Sequence, residues 1–311
     1  MLAQAGASSS VPHNLSYHIL ATYPHDPNAF TQGLHLERSG TLLESTGLYG
    51  QSSIRRVTLA SGQVALSESL PANWFGEGVA VVGDTIVQLL WRTRLILLRS
   101  VETLSLVRTA PLPGEMAEGW GLTHDGRGML YATDGSSSLF ALNATTLLVE
   151  RSVTVTLAGA ALERLNELEW VNGEVWSNIW YDDRVVAIDP TTGVVRALVD
   201  FSQLLPQAQR AALPRGAVLN GIAHDSDVPG SSTFFVTGKL WPTLFHVHLD
   251  LPPSPTLPPT PPPVPFCPPA SALPLGCSLS AEQRNAGRSC SCGFVWAAEC
   301  TEPVAVQVHC E

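Results

Sequence analysis

The chain of 311 residues is poor in lysine and, over most of its length, lacks cysteine. Its 17 basic residues include one lysine, Lys239, which offers a compact cation where arginine would offer a planar fork. Chance is the competing explanation for this single lysine. The sequence also lacks apolar runs of about 18 or more residues, which excludes a membrane-spanning helix. The formal net charge of −10 argues against a nucleic-acid partner, because such a partner favours a basic protein surface.

All six cysteines lie after residue 266. Six cysteines in a short polar tail predict a disulfide framework and therefore an oxidising compartment. A zinc site is the alternative, although the Cys290-x-Cys292 spacing is short for a zinc knuckle and His309 is the one nearby histidine. The Asn14 and Asn143 glycosylation sequons agree with a secretory route, so we expect an extracellular or vacuolar protein. The N-terminus does not read as a complete signal peptide; it could be the stub of one or an incorrect start site.

The composition changes abruptly after Leu251, where proline dominates residues 252–269. Proline has no backbone N–H and a fixed φ, so this segment cannot join a sheet. It predicts an extended polyproline II spacer. The sequence therefore divides into a folded domain at 15–251, a Pro-rich linker at 252–269 and a Cys-rich tail at 270–311.

Short segments with glycine or a large apolar residue recur along the folded domain at steps of 45, 43, 47 and 53 residues. The aligned residues are Gly33, Gly78, Gly121, Leu168 and Gly221. A repeat of this length with several strands per unit is typical of a β-propeller, and five repeats predict five blades. Equivalent residues converge on the axis of such an array. The residues preceding the aligned positions are Gln32, Glu77, Trp120, Glu167 and Asn220.

Strand-like runs bounded by turn residues supply four strands for blades one to four and three for blade five. We expect Leu15–Tyr23 to supply the missing strand, which closes the ring and removes an exposed sheet edge. Ser202–Ala212 predicts one helix, with Ser202 as its N-cap. A sandwich or jelly roll could use as many strands, but the regular spacing of the repeated segments favours an all-β, five-bladed β-propeller. A closed ring needs no partner, so we expect a monomer.

Glu77 is the most unusual residue of the recurring positions. It lies between two glycines, just after Trp74 and Phe75. Aromatic, poorly hydrated surroundings raise the pKa of a carboxyl group and suit it to proton transfer near neutral pH. An ion pair across the channel is the alternative. Several tryptophans near strand ends could form an aromatic box beside it, whereas Trp170 and Trp176 are expected in the core.

Nine segments carry a family pattern in order and with similar spacing: 30–34, 44–53, 75–78, 118–122, 133–137, 165–170, 173–180, 219–223 and 235–242. They include Phe75-Gly76-Glu77-Gly78 and Gly119-Trp120-Gly121. Together they resemble the plant and bacterial type of glutaminyl-peptide cyclotransferase, or glutaminyl cyclase. The resemblance spans about Leu15 to Asp250 and does not reach the spacer or the tail.

The resemblance implies a five-bladed propeller that converts the N-terminal glutamine of peptides and proteins to pyroglutamate and releases ammonia. It implies that Glu77 is the general acid and base, with no metal and no cofactor. The animal enzyme of the same activity is a zinc protein of unrelated fold, and its ligand pattern is not visible here. The substrate pocket implied by the resemblance consists of Phe30, Gln32, Phe75, Trp91, Trp120, Asn166, Trp180 and Lys239.

Two departures from the family pattern, Asn143 and His246, are expected to be peripheral. Two other functions stay open. One is a non-catalytic extracellular propeller, attached through its Pro-rich stalk. The other is a calcium-dependent hydrolase, which would need a tight channel cluster of acidic and amide side chains such as Glu77, Asn166, Glu167 and Asn220.

Overall fold

A computed structural model of the chain describes residues 11–37, 40–225 and 231–251. The predicted Pro-rich linker at 252–269 and the predicted Cys-rich tail at 270–311 lie outside these residues, as do all six cysteines. The described part folds into five sheets of four or five strands and one small two-stranded sheet, and the prediction of a five-bladed propeller is confirmed. Within the described residues, no helix is both long and apolar enough to cross a membrane.

Most strands pair in an antiparallel meander, and each blade contains four such strands. In chain order the strands are β1 (His13–Leu15), β2 (Tyr17–Pro24), β3 (Thr31–Glu37), β4 (Thr41–Thr46), β5 (Ser53–Thr58), β6 (Gln63–Ser69), β7 (Gly76–Val82), β8 (Thr85–Leu90), β9 (Leu95–Ser100), β10 (Leu106–Pro111), β11 (Leu122–His124), β12 (Met129–Ala132), β13 (Ser138–Asn143), β14 (Val149–Thr154), β15 (Thr156–Leu157), β16 (Ala160–Ala161), β17 (Leu165–Val171), β18 (Glu174–Ile179), β19 (Arg184–Ile188), β20 (Val195–Asp200), β21 (Leu219–His224), β22 (Thr233–Gly238) and β23 (Thr243–Leu249).

Blades one to four are β3–β6, β7–β10, β11–β14 and β17–β20, and blade five is β21–β23 completed by β2. The N-terminal strand thus closes the ring as predicted, with Tyr17 paired to Leu249 and Pro24 to Thr243. It begins at Tyr17 rather than at Leu15. Leu15 belongs instead to β1, which lies parallel to β20 at the outer edge of blade four and was not predicted.

The predicted helix Ser202–Ala212 is wrong at its start. The helix, α1, spans Gln207–Ala212 and begins after Pro206, whose φ of −52° and ψ of 139° are not helical. Proline disfavours the helical region for the residue before it, so the helix cannot extend back through Leu205. The Ser202 N–H instead bonds the Asp200 carboxylate, at 2.8 Å. Leu204 and Leu205 pack into the core that blades four and five share.

The innermost strands approach one another so closely that glycine is required between the blades. A Cβ on Gly33 would lie 2.7 Å from the Val79 nitrogen, and a Cβ on Gly78 would lie 2.4 Å from the Leu122 nitrogen. At Gly121 the distance to the Asn166 carbonyl oxygen would be 1.9 Å. The recurring glycines therefore exist for packing at the axis.

We expect Gly121→Ala to destabilise the protein by about 3 kcal/mol or more, because backbone of the next blade must move to accept the methyl group. Gly114→Ala is the matched control, since a Cβ at Gly114 would meet no atom within 4 Å. Denaturant unfolding of the two variants measures the difference. Equal stability of both variants would contradict the packing argument.

A buried charge network lies where blade one meets the closing blade. The Glu44 carboxylate binds His25 Nε2 at 3.0 Å, Thr31 Oγ1 at 2.7 Å and Arg55 Nε at 2.9 Å. His25 Nδ1 lies 2.6 Å from the Trp241 carbonyl oxygen, which joins the network to blade five. Burial alone would raise the pKa of Glu44, but His25, Arg55 and Thr31 outweigh it and lower the pKa to about 2.

The lowered pKa of Glu44 predicts an acid-dependent loss of stability. The ionised Glu44 contributes its full stabilisation of the folded state above the ordinary glutamate pKa. This stabilisation is lost as the pH falls from there through about 2. Glu44→Gln should lower the stability at pH 7 by about 3 kcal/mol, because Arg55 and His25 lose their buried partner. Thermal unfolding between pH 2 and pH 7 tests this. The melting temperature of the variant should approach that of wild type near pH 2. A difference in melting temperature that is the same at every pH would contradict the linkage between Glu44 ionisation and stability.

Candidate active site

The innermost strands of four blades place one side chain each at the same mouth of the channel. Each strand opens with a paired residue and then a one-residue bulge, as in Thr31↔Thr46 followed by Gly33↔Ser45. The same irregularity occurs in β7, β17 and β21. The residues that follow the first pair occupy equivalent positions: Gln32, Glu77, Asn166 and Asn220.

This register corrects the sequence alignment in blade four. Leu165 pairs with Ile179, as Gly76 pairs with Leu90, so Asn166 is the equivalent of Glu77. The alignment of the repeated segments had placed Glu167 at this position instead. Blade three differs, because β11 pairs with β12 without a bulge and the Trp120 N–H bonds the Thr133 carbonyl at 3.0 Å.

A second row of equivalent positions lies just after the second strand of each blade. Backbone N–H groups there donate to the residue before the innermost strand, for example from Trp91 to Phe75 at 3.1 Å and from Lys239 to Val218 at 2.9 Å. Trp180 makes the same bond to Arg164, at 2.8 Å. The fold therefore brings the predicted pocket residues together in adjacent rows at one mouth, although they come from all five blades: Phe30, Gln32, Phe75, Glu77, Trp91, Trp120, Asn166, Trp180 and Lys239.

Gln32 links Glu77 to the lone lysine. Its Nε2 donates to Glu77 Oε1 at 3.2 Å, and its Oε1 accepts from Lys239 Nζ. Asn220 Nδ2 also reaches Gln32 Oε1, at 3.4 Å, and donates to the Thr31 carbonyl at 2.9 Å. Because the Gln32 oxygen faces two donors, its amide nitrogen must face the carboxylate.

Burial controls the ionisation of both Glu77 and Lys239. Glu77 is 4 % exposed, and burial raises its pKa to about 8 against the opposing charge of Lys239, with a smaller rise from Glu118. Lys239 is 1 % exposed, and burial lowers its pKa to about 8 although Glu77 and Glu167 oppose that shift. The salt bridges of the described residues do not include Glu77, so the alternative of a direct ion pair across the channel is not observed. Both groups can therefore exchange protons near neutral pH.

Aromatic rings form two walls beside these groups. On one side the Lys239 ammonium lies 4.7 Å from the Phe30 ring centroid, and Phe30 meets Phe75 edge to face at 6.1 Å. Phe75 also packs against Trp91, and their ring centroids are 5.3 Å apart. A second pair of rings, Trp120 and Trp180, meets edge to face at 5.5 Å. The Glu77 carboxyl group thus lies in surroundings of low polarity, which explains why burial has the largest effect on its pKa.

The sequence did not identify three further residues at this mouth. Tyr49 contacts Phe75 at 5.5 Å and Tyr181 contacts Trp180 at 4.7 Å, and these rim tyrosines are 51 % and 54 % exposed. The third is Glu118, whose carboxylate accepts hydrogen bonds from two tryptophan side chains. Tyr49 and Glu118 stand inside the segments that carry the family pattern, so that pattern was the available signal for both.

Glu167 and Asn220 hold the channel together. The Glu167 carboxylate accepts the Leu34 N–H at 3.2 Å and the Ile222 N–H at 2.9 Å, and so joins blades one and five. Across the described residues, no group of three or more His, Cys, Asp or Glu side chains is arranged to hold a metal ion. The Asn166 Oδ1 is buried without a hydrogen-bond partner, as is the Asn220 Oδ1, and it is free to accept a hydrogen bond from a bound molecule.

We expect Glu167→Ala to cost about 2–4 kcal/mol of stability, because two buried backbone N–H groups lose their acceptor. Burial raises the pKa of Glu167 well above its ordinary value, although the hydrogen bonds from the Ile222 and Leu34 N–H groups oppose that shift. Glu167→Gln, which keeps an oxygen acceptor, should therefore lose less than half as much. Urea unfolding at pH 7 compares the variants, and a Glu167→Ala protein as stable as wild type would contradict this role.

The two residues that depart from the family pattern are peripheral, as expected. Asn143 organises the turn after β13, where its side chain accepts from the Thr145 N–H at 3.0 Å. His246 stacks on Phe235 at 4.4 Å within blade five. A separate cavity of about 270 Å³, lined by residues such as His35, His124 and Glu169, opens toward the other ends of the innermost strands. It lies apart from the predicted pocket.

The fold and the site define a five-bladed propeller that carries a buried, readily protonated carboxyl group in an aromatic pocket at one mouth. The chain belongs to the glutamine cyclotransferase family, whose model matches residues 1–249. It is 39 % identical over 250 residues to the glutaminyl-peptide cyclotransferase of Arabidopsis thaliana, covering 79 % of this chain and 75 % of that protein. The crystal structure of Myxococcus xanthus glutaminyl cyclase aligns with a TM-score of 0.69 and 39 % identity, over 77 % of this chain and 98 % of the other.

Proposed function

We propose that this protein is an ammonia-releasing acyltransferase that converts the N-terminal glutamine of peptides and proteins to pyroglutamate. The observation that carries the proposal is Glu77, a buried carboxyl group bonded to Gln32 and enclosed by aromatic rings, in a member of this family. The names of the plant and bacterial relatives support the same reaction.

The reaction requires one proton to move between two nitrogen atoms of the same residue. The neutral α-amine attacks the γ-carboxamide carbon and forms the ring C–N bond. The carboxamide C–N bond then breaks, and its nitrogen leaves as ammonia after gaining the proton that the attacking nitrogen loses. Because burial raises the pKa of Glu77 to about 8, close to that of a peptide α-amine at about 7.7–8.0, this carboxyl group can both deliver and accept that proton.

The polar neighbours of Glu77 supply groups for the carboxamide. As the amine attacks, negative charge develops on the carboxamide oxygen, and the Lys239 ammonium is the cation of the pocket. Gln32 holds Lys239 and Glu77 apart while bonding both, so the lysine does not neutralise the acid directly. The unpartnered Asn166 Oδ1 offers an acceptor for an N–H group of the substrate.

The aromatic walls serve orientation and exclusion of water. Glutamine cyclises only when its amine lies against its own carboxamide carbon, so a pocket that holds the folded conformer removes much of the entropic barrier. The rings of the pocket, Phe75 with Trp91 and Trp120 with Trp180, offer apolar surface that favours exclusion of water. Exclusion of water protects the carboxamide from hydrolysis, which would yield glutamate instead.

Glu77→Gln should lower kcat by about a hundredfold or more, because the amide cannot transfer the proton. The amide oxygen can still accept from Gln32, so the melting temperature should stay within about 2 °C of wild type. Ammonia release from a Gln-initiated dipeptide, with pyroglutamate identified by mass spectrometry, measures the effect. Near-wild-type turnover of the variant would refute the role of Glu77.

The same assay separates the other functions. Absence of ammonia with the wild-type protein would overturn the proposed reaction and leave the non-catalytic binding module. Activity that disappears only with a calcium chelator would favour the calcium-dependent hydrolase. We expect full activity in the chelator, because the Glu167 carboxylate already binds two backbone N–H groups.

A further inference from the structure

Glu118 lies where blades two and three meet at the mouth of the pocket. Trp91 Nε1 donates to its Oε2 at 2.5 Å, and Trp120 Nε1 donates to the same oxygen at 2.9 Å. Trp91 follows the second strand of blade two, whereas Trp120 precedes the first strand of blade three. One carboxylate oxygen therefore ties together two pocket walls that come from different blades.

The second oxygen of Glu118 is held from outside. Arg92 Nε donates to Oε1 at 2.9 Å, and the Arg92 guanidinium lies 4.0 Å from the Trp91 ring centroid. Arg92 thus covers one face of Trp91 while it binds the carboxylate that holds the edge of that ring. Phe75 and Tyr49 pack near the same ring, at centroid distances of 5.3 and 6.4 Å.

The loop that carries Glu118 is itself anchored. Arg94 Nη1 donates to the carbonyls of Met116 and Ala117, at 2.9 and 3.1 Å, and its Nη2 donates to the Pro113 carbonyl at 3.1 Å. The Ala117 N–H bonds the Asp134 carboxylate at 3.1 Å. The Glu118 side chain, 24 % exposed, therefore projects from a fixed backbone.

The hydrogen-bond partners of Glu118 indicate its role. Its carboxylate binds two indole N–H groups and one guanidinium, and each belongs to the pocket wall or to its cover. Hydrogen bonds to an ionised carboxylate are about twice as strong as neutral ones, so both indole rings lose rotational freedom before any substrate arrives. With their N–H edges engaged, Trp91 and Trp120 can present only carbon surface to the pocket.

We propose that Glu118 is a positioning residue that fixes Trp91 and Trp120 as preformed walls for the glutamine side chain. The inference rests on the proposed function for its catalytic consequence but not for its geometry. A preformed wall lowers the ordering cost of binding, so its loss should weaken substrate binding more than the chemical step.

The test uses Glu118→Ala and Glu118→Gln in the full chain, with Glu115→Gln as the matched control. Glu115 is an exposed carboxylate three residues earlier in the same loop. For Glu118→Ala we expect KM for a Gln-initiated dipeptide to rise about ten- to a hundredfold, the range for hydrogen bonds to a charged group, with kcat within about threefold. The KM of Glu118→Gln should lie between those of wild type and Glu118→Ala, because an amide oxygen accepts a hydrogen bond but carries no charge. The KM of Glu115→Gln should equal that of wild type.

A second readout does not depend on activity. In ¹H–¹⁵N spectra the indole N–H signals of Trp91 and Trp120, assigned with Trp91→Phe and Trp120→Phe, should lie downfield and exchange slowly with solvent. Both signals should move upfield and exchange faster in Glu118→Gln, and neither should change in Glu115→Gln. This measurement also serves if Glu118→Ala does not fold.

Unchanged indole signals in Glu118→Gln would overturn the inference, and so would an unchanged KM in a folded Glu118→Ala protein. A fall in kcat with constant KM would also overturn it, since it would place Glu118 in the chemical step. If the wild-type protein releases no ammonia, the proposed function fails, yet the indole signals still decide whether Glu118 holds the two rings.

Discussion

The close approach of five innermost strands at one axis is the constraint on which the rest of this structure depends. At Gly33, Gly78 and Gly121 the neighbouring blade lies so near that no Cβ fits. Each innermost strand is the edge of its sheet, so its inward N–H groups lack a strand partner, and such groups are costly when they are buried. Glu167 takes the position that glycine holds in the other blades, and its side chain accepts two of those N–H groups.

The same convergence creates the pocket. The bulge at the start of four innermost strands places Gln32, Glu77, Asn166 and Asn220 at a common level, one residue before the crowded positions. Side chains there are close enough to bond one another and deep enough to lose most of their water. Burial then acts in opposite directions on acid and amine, and the pKa values of Glu77 and Lys239 both come to about 8.

Prediction from the sequence succeeded where a residue type had a strong local cause. The repeat spacing predicted five blades, and the closing strand was predicted to within two residues at its start. It failed where pairing decides the position. The alignment put Glu167 beside Glu77, because both precede an apolar or small residue, whereas the bulge shifts Asn166 into that place. The start of α1 was also wrong, since the proline at 206 outweighs the capping signal of Ser202.

Glu118 shows a different limit. It stands in a segment of the family pattern, yet a glutamate beside glycine and tryptophan carries no sequence sign that it accepts two indole N–H groups. Trp91 precedes it by 27 positions, and only the packing of blade two against blade three brings that ring to the carboxylate. The disulfide framework, the secretory route and the monomeric state stay predictions, because the cysteines lie outside the described residues and no contact here bears on assembly.

By itself the sequence determined the number of blades, the strand that closes the ring and the family to which the chain belongs. Those properties follow from glycine spacing, strand periodicity and motifs that are local in the chain. The tertiary structure alone decided which side chains share the pocket mouth, how Gln32 separates Lys239 from Glu77, and how far burial shifts their protonation. These depend on distances between different blades and on the exclusion of water, which no local pattern encodes.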